Sequence, residues 1–301
     1  LIKVHASSIT AADCMMRKGE PWLGRLFLGL SKPKYAITGT GFSGEIEAVG
    51  DKIQHWQVEQ HICGESIFSA GSNAEYLCIS EDALFIKKPA EITHSQASTL
   101  CDGVLTSYSF LSDLHSIRAG HSVLIIGASG SLGSAAVQIA NHLGAEVTAV
   151  CSGDNRQLVQ QLGADLVINY QRQDFTKQNK QYDFIYDSIG KHSFSSCKGC
   201  LKKQGIYLSP VINFKLLIDM LCTAKFSAKK ATFSATGLRN PKLLKELLLE
   251  VSQLITAGKI DVLIDREYQL SQASEAHRYI ETGRKKGNIA VSMINKTAKG
   301  A

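Results

Sequence analysis

The sequence predicts an α/β protein in two parts, a doubly wound parallel sheet with helices on both faces and a smaller, barrel-like β domain. Three observations predict it. Between residue 121 and about residue 236, short β-rich runs alternate with helical segments, the pattern of a parallel sheet with helical crossovers. Residues 1 to about 90 instead carry short strands separated by glycine-containing turns, without that alternation. The last stretch, "IDVLIDREYQLSQASEAHRYIETGRKKGNIAVSMI", again runs strand, helix, strand. It is expected to rejoin the first domain and leave a cleft between the two parts.

Taken in order, "LIKVHASSI" reads as a strand already under way at Leu1, so the family of strands in the β part is expected to begin before it. "GFSGEIEAVG", "AEYLCIS" and "ALFIKKP" follow as further strands, and Pro89 with "AEITHSQAS" marks the crossover into the second part. There "SVLIIG" is a buried strand, and the helix after it places Leu132, Ala136, Ile139, Ala140 and Leu143 at helical spacing before Gly144 ends it. "EVTAVCS", "DLVINY", "YDFIYDSIG", "GIYLSP" and "KATFSAT" continue the strands. The expected division is 1–92 with 257–301 for the β part and 93–256 for the doubly wound part.

At 301 residues and 44% hydrophobic content the chain can fill substantial cores. No run of about 18 uncharged apolar residues occurs, so no membrane span is expected. The 8 cysteines are scattered, mostly in apolar runs, which points to reduced thiols and a cytoplasmic setting. Cys197 and Cys200 have metal or redox spacing, but neither a second pair nor a histidine cluster nearby in sequence completes a four-ligand set. The net charge of +6 is spread along the chain without a basic stripe interleaved with aromatics, so nucleic acid is not an expected partner.

The most informative stretch is "GASGSLG", residues 127–133, lodged between a strand and a helix. Such a turn collects main-chain N–H groups and the positive end of a helix dipole at one spot, where a diphosphate fits. Gly127 relieves the turn, Gly130 lets the backbone approach the pyrophosphate, and Gly133 lets helix and strand pack closely, with Ala128, Ser129, Ser131 and Leu132 completing the cradle. Ala128 stands where the commonest dinucleotide fingerprint has a glycine. At the end of the next strand, where a carboxylate usually meets the ribose of NAD, the chain has Cys151 and Ser152. NADPH is therefore the expected cofactor, with Ser152 donating to the 2′-phosphate and Arg156 offering charge, although Asp154 stands close by with the opposite sign.

Together with "VHASSITAADCMMRKGEP", "ITGTGFSGEIEAVG", "GVLTSYSFL", "LGADLVINY" and "AHRYIETGRKKGNIAVSM", these segments resemble the medium-chain dehydrogenase/reductase superfamily in its zinc-independent, quinone oxidoreductase-like branch. The resemblance spans nearly the whole chain. It implies a GroES-like β-barrel domain packed on a Rossmann domain, NADPH bound between them, and a homodimer. It also implies that Thr106 meets the nicotinamide, that Ser152 and Tyr170 meet the adenosine phosphate, and that Lys286 or Asn288 adds a cofactor contact. A helix-start hydroxyl is the alternative for Thr106, and strand-end packing for Tyr170.

The zinc-dependent relatives carry Cys, His and Glu where this chain has Thr10, Thr40 and Gly41, so no zinc is expected. The chain also has Glu59-Gln60 where the family usually has Gly-Asp, and Thr10 where it has Asn. Without a metal to polarise a carbonyl, conjugated acceptors are favoured, quinones or α,β-unsaturated ketones, because they spread the developing charge. Thr10 and Tyr35 are the candidate hydrogen-bond donors, while Asp13 reads as a turn or positioning residue. His5, His55 and His61 read as surface or satisfied side chains. Two alternatives stay open, a zinc-independent alcohol or aldehyde dehydrogenase and a nucleotide-binding protein with little turnover.

Overall fold

The computed structural model describes residues 1–20, 25, 29–30, 34, 36–67 and 71–293. The chain forms two compact units, and it leaves the first for the second and returns. Unit 1 comprises Leu1–Leu105, Asn240–Ala257 and the chain from Val262 onward; unit 2 comprises Thr106–Arg239 and Gly258–Asp261.

Unit 1 opens with strand β1 (Ile2–Ser8), helix α1 (Ala11–Lys18) and strands β2 (Gly41–Ile46), β3 (His61–Glu65), β4 (Tyr76–Leu77) and β5 (Leu84–Lys87). A single turn, α2 (His94–Ala97), and a π-helical stretch, Leu100–Leu105, close this first passage. The alternation of β1 buries Ile2 and Val4 with Phe42, Ile46, Ile62, Leu77 and Phe85 in one apolar cluster. Tyr35 lies outside the described residues.

Unit 2 begins with a short helix, α3 (Thr106–Tyr108), and a second π-helical stretch, Ser109–Leu114. Then follow β6 (Ser122–Ile126), α4 (Ser131–His142), β7 (Glu146–Cys151), α5 (Arg156–Gln161), β8 (Leu166–Asn169) and β9 (Tyr182–Asp187). α6 (Phe194–Cys197), β10 (Leu201–Ser209), α7 (Phe214–Phe226) and β11 (Lys230–Phe233) complete it. All five strand pairings are parallel, in the order β11-β10-β9-β6-β7-β8. Counted from β6, that is the Rossmann order, whose direction reverses between β6 and β9. The central strand β6 is buried along its whole length, as a strand covered on both faces must be.

The chain then returns to unit 1 with α8 (Pro241–Thr256), β12 (Ile264–Gln269), α9 (Ala273–Glu281) and β13 (Asn288–Ser292). β13 lies antiparallel to β1 and parallel to β12, giving a sheet ordered β12-β13-β1-β2-β3-β5 with β4 on β1. These compact units divide the chain at other residues than the division expected from sequence. Residues 93–105 and helix α8 belong to the β unit, not to the nucleotide unit. The cause is packing, since α8 buries Leu244, Leu248, Val251 and Ile255 along one stripe, and Lys245 Nζ stands 5.5 Å from the Phe85 ring centre on β5.

Candidate nucleotide site and the polar cluster of the β unit

The sheet's reversal between β6 and β9 makes the carboxyl ends of those strands the expected ligand crevice. At the end of β6, the amides of Gly127 and Ala128 both donate to Val150 O at 3.1 Å, fastening the turn to β7. Gly127 has φ +76°, and a Cβ there would lie 2.7 Å from Ile189 on the loop after β9. Gly133 is tighter still, for its Cβ would meet Gly127 O at 2.1 Å. Gly130 differs, because its nearest neighbour would be 3.4 Å away, ordinary contact distance. Two glycines thus close-pack the turn, and the third leaves space in front of α4, whose N-terminus has no side-chain cap.

Neighbouring elements hold this turn in shape. Ser107 Oγ donates to Leu132 O at 2.8 Å, which sets Thr106 beside the first turn of α4. Asn155 Nδ2 donates to Ser129 Oγ at 2.9 Å. Asp187, fully buried at the end of β9, accepts from the amides of Ile189, Gly190 and His192 and from Tyr207 Oη at 2.9 Å. Burial, ahead of the Asp187 charge, drives the Tyr207 phenol far above its ordinary pKa, so Tyr207 remains a donor. Asn155 escapes a reading of the sequence because its partner Ser129 is 26 residues away, and Asp187 because Tyr207 reaches it from β10.

Past β7 lies a hollow of about 450 Å³ lined by Ser152, Gly153, Asp154, Arg156, Asn169 and Arg172, among others. Ser152 and Arg156, singled out by sequence, are brought together there, and Arg172 joins them. Arg156, Arg172 and Asp154 line the hollow together, two positive charges to one negative. Tyr170 is 60% exposed at the end of β8, with its amide bound to Cys151 O at 3.2 Å. Lys286 and Asn288 both lie in unit 1: the amide of Lys286 donates to Asp265 Oδ2, and the buried Asn288 donates its side-chain amide to Leu263 O at 3.0 Å. Within "GRKKGN" it is Lys285 that turns inward, onto Gly287 O at 2.8 Å. Burial lowers its ammonium pKa, against an opposing pull from Asp102.

Unit 1 also collects Thr10, Asp13, Glu65 and Asp102. Thr10 caps α1: its amide and hydroxyl both donate to Asp13 Oδ2, at 2.8 and 2.7 Å, and its hydroxyl accepts from the Asp13 amide. The hydroxyl proton expected to point at a substrate is engaged by Asp13, which fits Asp13 as a positioning residue. Burial raises the Asp13 carboxyl to about 6, against the lowering effect of the Thr10 bonds. Burial, ahead of repulsion from Asp102, also raises the Glu65 carboxyl. Cys197 and Cys200 are buried, and burial lifts the Cys197 thiol to about 12, too high for a reactive pair.

Residues 1–90 match the family model for an alcohol dehydrogenase GroES-like domain, and residues 162–291 that for a zinc-binding dehydrogenase. The mouse (Mus musculus) mitochondrial NAD(P)H oxidoreductase RTN4IP1 is 30% identical over 336 residues, a match covering 98% of this chain and 81% of the relative. The chain belongs to the quinone oxidoreductase-like medium-chain dehydrogenase/reductases. As a member of that family it is an NAD(P)H-dependent oxidoreductase. A 2-methylene-furan-3-one reductase of Solanum lycopersicum is 26% identical, with 98% of this chain and 71% of that protein covered. The solved quinone oxidoreductase of Coxiella burnetii superposes with a TM-score of 0.86 at 27% identity, covering 97% of this chain and 90% of that one.

The zinc of some medium-chain reductases needs three nitrogen, sulfur or carboxylate donors at the positions of Thr10, Thr40 and Gly41. These residues do not fit it. Thr10 is committed to Asp13, and a Cβ on Gly41 would lie 2.2 Å from Ser98 O, leaving no room for a ligating side chain. Among the described residues, no helix is long and apolar enough to cross a membrane.

Proposed function

We propose that this oxidoreductase uses NADPH in preference to NADH and reduces quinones or α,β-unsaturated carbonyl compounds without zinc. The observation that carries the reading is the hollow beyond β7, where Ser152, Arg156 and Arg172 gather and the strand ends without a carboxylate. When bound, the reduced nicotinamide supplies a hydride, and uptake of one proton completes a two-electron reduction of the acceptor.

The chain's own groups bind and orient. Main-chain amides at the uncapped start of α4 hold the pyrophosphate, the amides of Gly127 and Ala128 being spent on Val150 O. Ser152 donates to the 2′-phosphate, and Arg156 and Arg172 neutralise it in a bidentate fashion that lysine would not reproduce. Thr106, fixed through Ser107, bounds the nicotinamide side. A conjugated acceptor needs only hydrogen-bond donors at its oxygen, which suits a site whose residues at the zinc positions offer no Lewis acid. The names of two relatives agree with this, one a quinone oxidoreductase and one a reductase of a furanone whose methylene is conjugated with its ketone.

A homodimer and a reducing, cytoplasmic setting belong to the same proposal. Strand β11 ends its sheet, and the neighbouring α7 exposes Phe214, Ile218 and Leu221 along one side at 77, 46 and 75%, an apolar face suited to a second copy. Cys14, Cys63, Cys151, Cys197 and Cys200 are buried thiols.

Following NADPH and NADH oxidation optically against quinones, enones and simple aldehydes tests the activity. Turnover with conjugated acceptors and a preference for NADPH are expected. Arg156→Ala with Arg172→Ala should cost roughly tenfold or more in NADPH affinity, about 1.5–3 kcal/mol for charge-assisted bonds, and little in NADH affinity. An equal loss for both nucleotides removes the phosphate assignment, and turnover with aldehydes alone overturns the acceptor class.

A further inference from the structure

Histidines 5, 61 and 94, distant in sequence, converge in unit 1. Each offers a ring nitrogen, and the three nitrogens lie within 4.8 Å of one another. They come from β1, β3 and the first residue of α2. Their ring centres stand 4.4 Å apart for His5 and His94, 5.1 Å for His61 and His94, and 5.9 Å for His5 and His61.

Local backbone features bring them together. In the pairing of β1 with β2, Val4 faces Gly44 and Ala6 faces Ser43, so His5 is the extra residue of a β-bulge. Bulges re-aim a side chain away from strict alternation. On the other side of β2, His61 pairs directly with Glu45, whose carboxylate is 3.7 Å from His5 Nε2.

The hydrogen bonds around His94 select its tautomer. Ser43 Oγ donates its single proton to Ile62 O at 3.0 Å and lies 2.8 Å from His94 Nδ1. It therefore accepts from Nδ1–H, and His94 Nε2 keeps a lone pair. A second partner fixing one ring nitrogen while the other stays open is the arrangement found around metal-ligating histidines.

We propose that His5, His61 and His94 form a binding site for a divalent first-row transition-metal ion of the zinc type, with Glu45 or water as the fourth ligand. Imidazole nitrogens suit such ions, and the carboxylate offsets their charge. Zinc–nitrogen bonds of about 2.0–2.1 Å set tetrahedral ligands about 3.4 Å apart, so closure requires roughly an ångström of ring movement. His61 is exposed and has room to supply it, and it gives the ion a path in from solvent. The site uses none of Thr10, Thr40 and Gly41. Bound there, the ion ties β1, β3 and α2 together and stabilises the native chain by mass action.

Calorimetric titration of the full chain with zinc chloride, paired with thermal unfolding with and without the metal, tests this. One zinc per chain and a raised unfolding midpoint are expected. His61→Ala, at an exposed position, should keep the metal-free midpoint while losing the zinc-induced rise and about tenfold or more in affinity; Glu45→Gln should lose less. Cobalt(II) should give visible ligand-field bands without strong thiolate charge transfer. The proposal is overturned if the chain binds no zinc, if His61→Ala binds it as tightly as the parent, or if the cobalt spectrum is thiolate-dominated and vanishes on replacing the exposed Cys78 and Cys222 by serine.

Discussion

Asn155 Nδ2 donates to Ser129 Oγ across 2.9 Å, tying the loop after β7 to the glycine turn after β6. Both residues are buried. The bond links the part of unit 2 proposed to hold the pyrophosphate with the part proposed to hold the adenosine phosphate. Asn155→Ala should therefore loosen both, lowering NADPH affinity about five- to tenfold, the worth of a net hydrogen bond of ~1–1.5 kcal/mol. Binding calorimetry decides it, and unchanged affinity would leave the bond a purely local one.

The two ends of the turn should answer alanine in opposite ways. Gly133→Ala drives a methyl group into Gly127 O, against a gap of 2.1 Å, and should cost stability by a few kcal/mol. Gly130→Ala meets nothing closer than 3.4 Å in the chain and should fold normally, yet its methyl occupies the space proposed for the pyrophosphate. Denaturant unfolding separates the first effect and nucleotide titration the second. A Gly130→Ala chain that binds NADPH like the parent would contradict the cradle.

Asp13 should leave a signature in stability against pH. Its carboxyl rises to about 6 in the folded chain from an ordinary value of 3.8, chiefly through burial. The folded state therefore holds more protons than the unfolded state between about pH 4 and pH 6, and stability falls as pH rises through that window. For one proton the slope approaches ~1.4 kcal/mol per pH unit. Asp13→Asn keeps an acceptor for Thr10 and removes the titration, so its curve should be flatter over that range. Parallel curves for the two chains would show that Asp13 is not the source.

Glu59 adopts φ +70°, a left-handed conformation costly for a residue with a side chain. Glycine is what the family usually carries there. Glu59→Gly should raise stability by about 0.5–1 kcal/mol, relief of the strain being partly offset by the greater freedom of glycine when unfolded. Chemical denaturation measures it, and a loss of stability would mean that the Glu59 side chain makes an offsetting contribution.

Much of the nucleotide unit was legible in the residues alone. A buried strand, a glycine turn and an apolar-faced helix are local patterns, so residues 122–142 announce their fold. The β part was legible as short strands with glycine turns, but its GroES-like character came only through resemblance, because short antiparallel strands carry weak individual signals. The stripe of α8 says that it packs on something apolar, and nothing in its own residues says that the partner is the sheet containing β5.

The sequence by itself determined the alternation of strand and helix, the glycine spacing, the lack of a carboxylate at the end of β7, where Cys151 and Ser152 stand, and the loss of zinc donors at Thr10, Thr40 and Gly41. Each depends on residue type and short-range spacing. Only the tertiary structure decided that Arg172 joins Ser152 and Arg156, that the Thr10 proton is spent on Asp13, and that a bulge aims His5 toward His61 and His94. Those outcomes depend on strand register and crossover, which bring together side chains whose distance along the chain bears no relation to their distance in space.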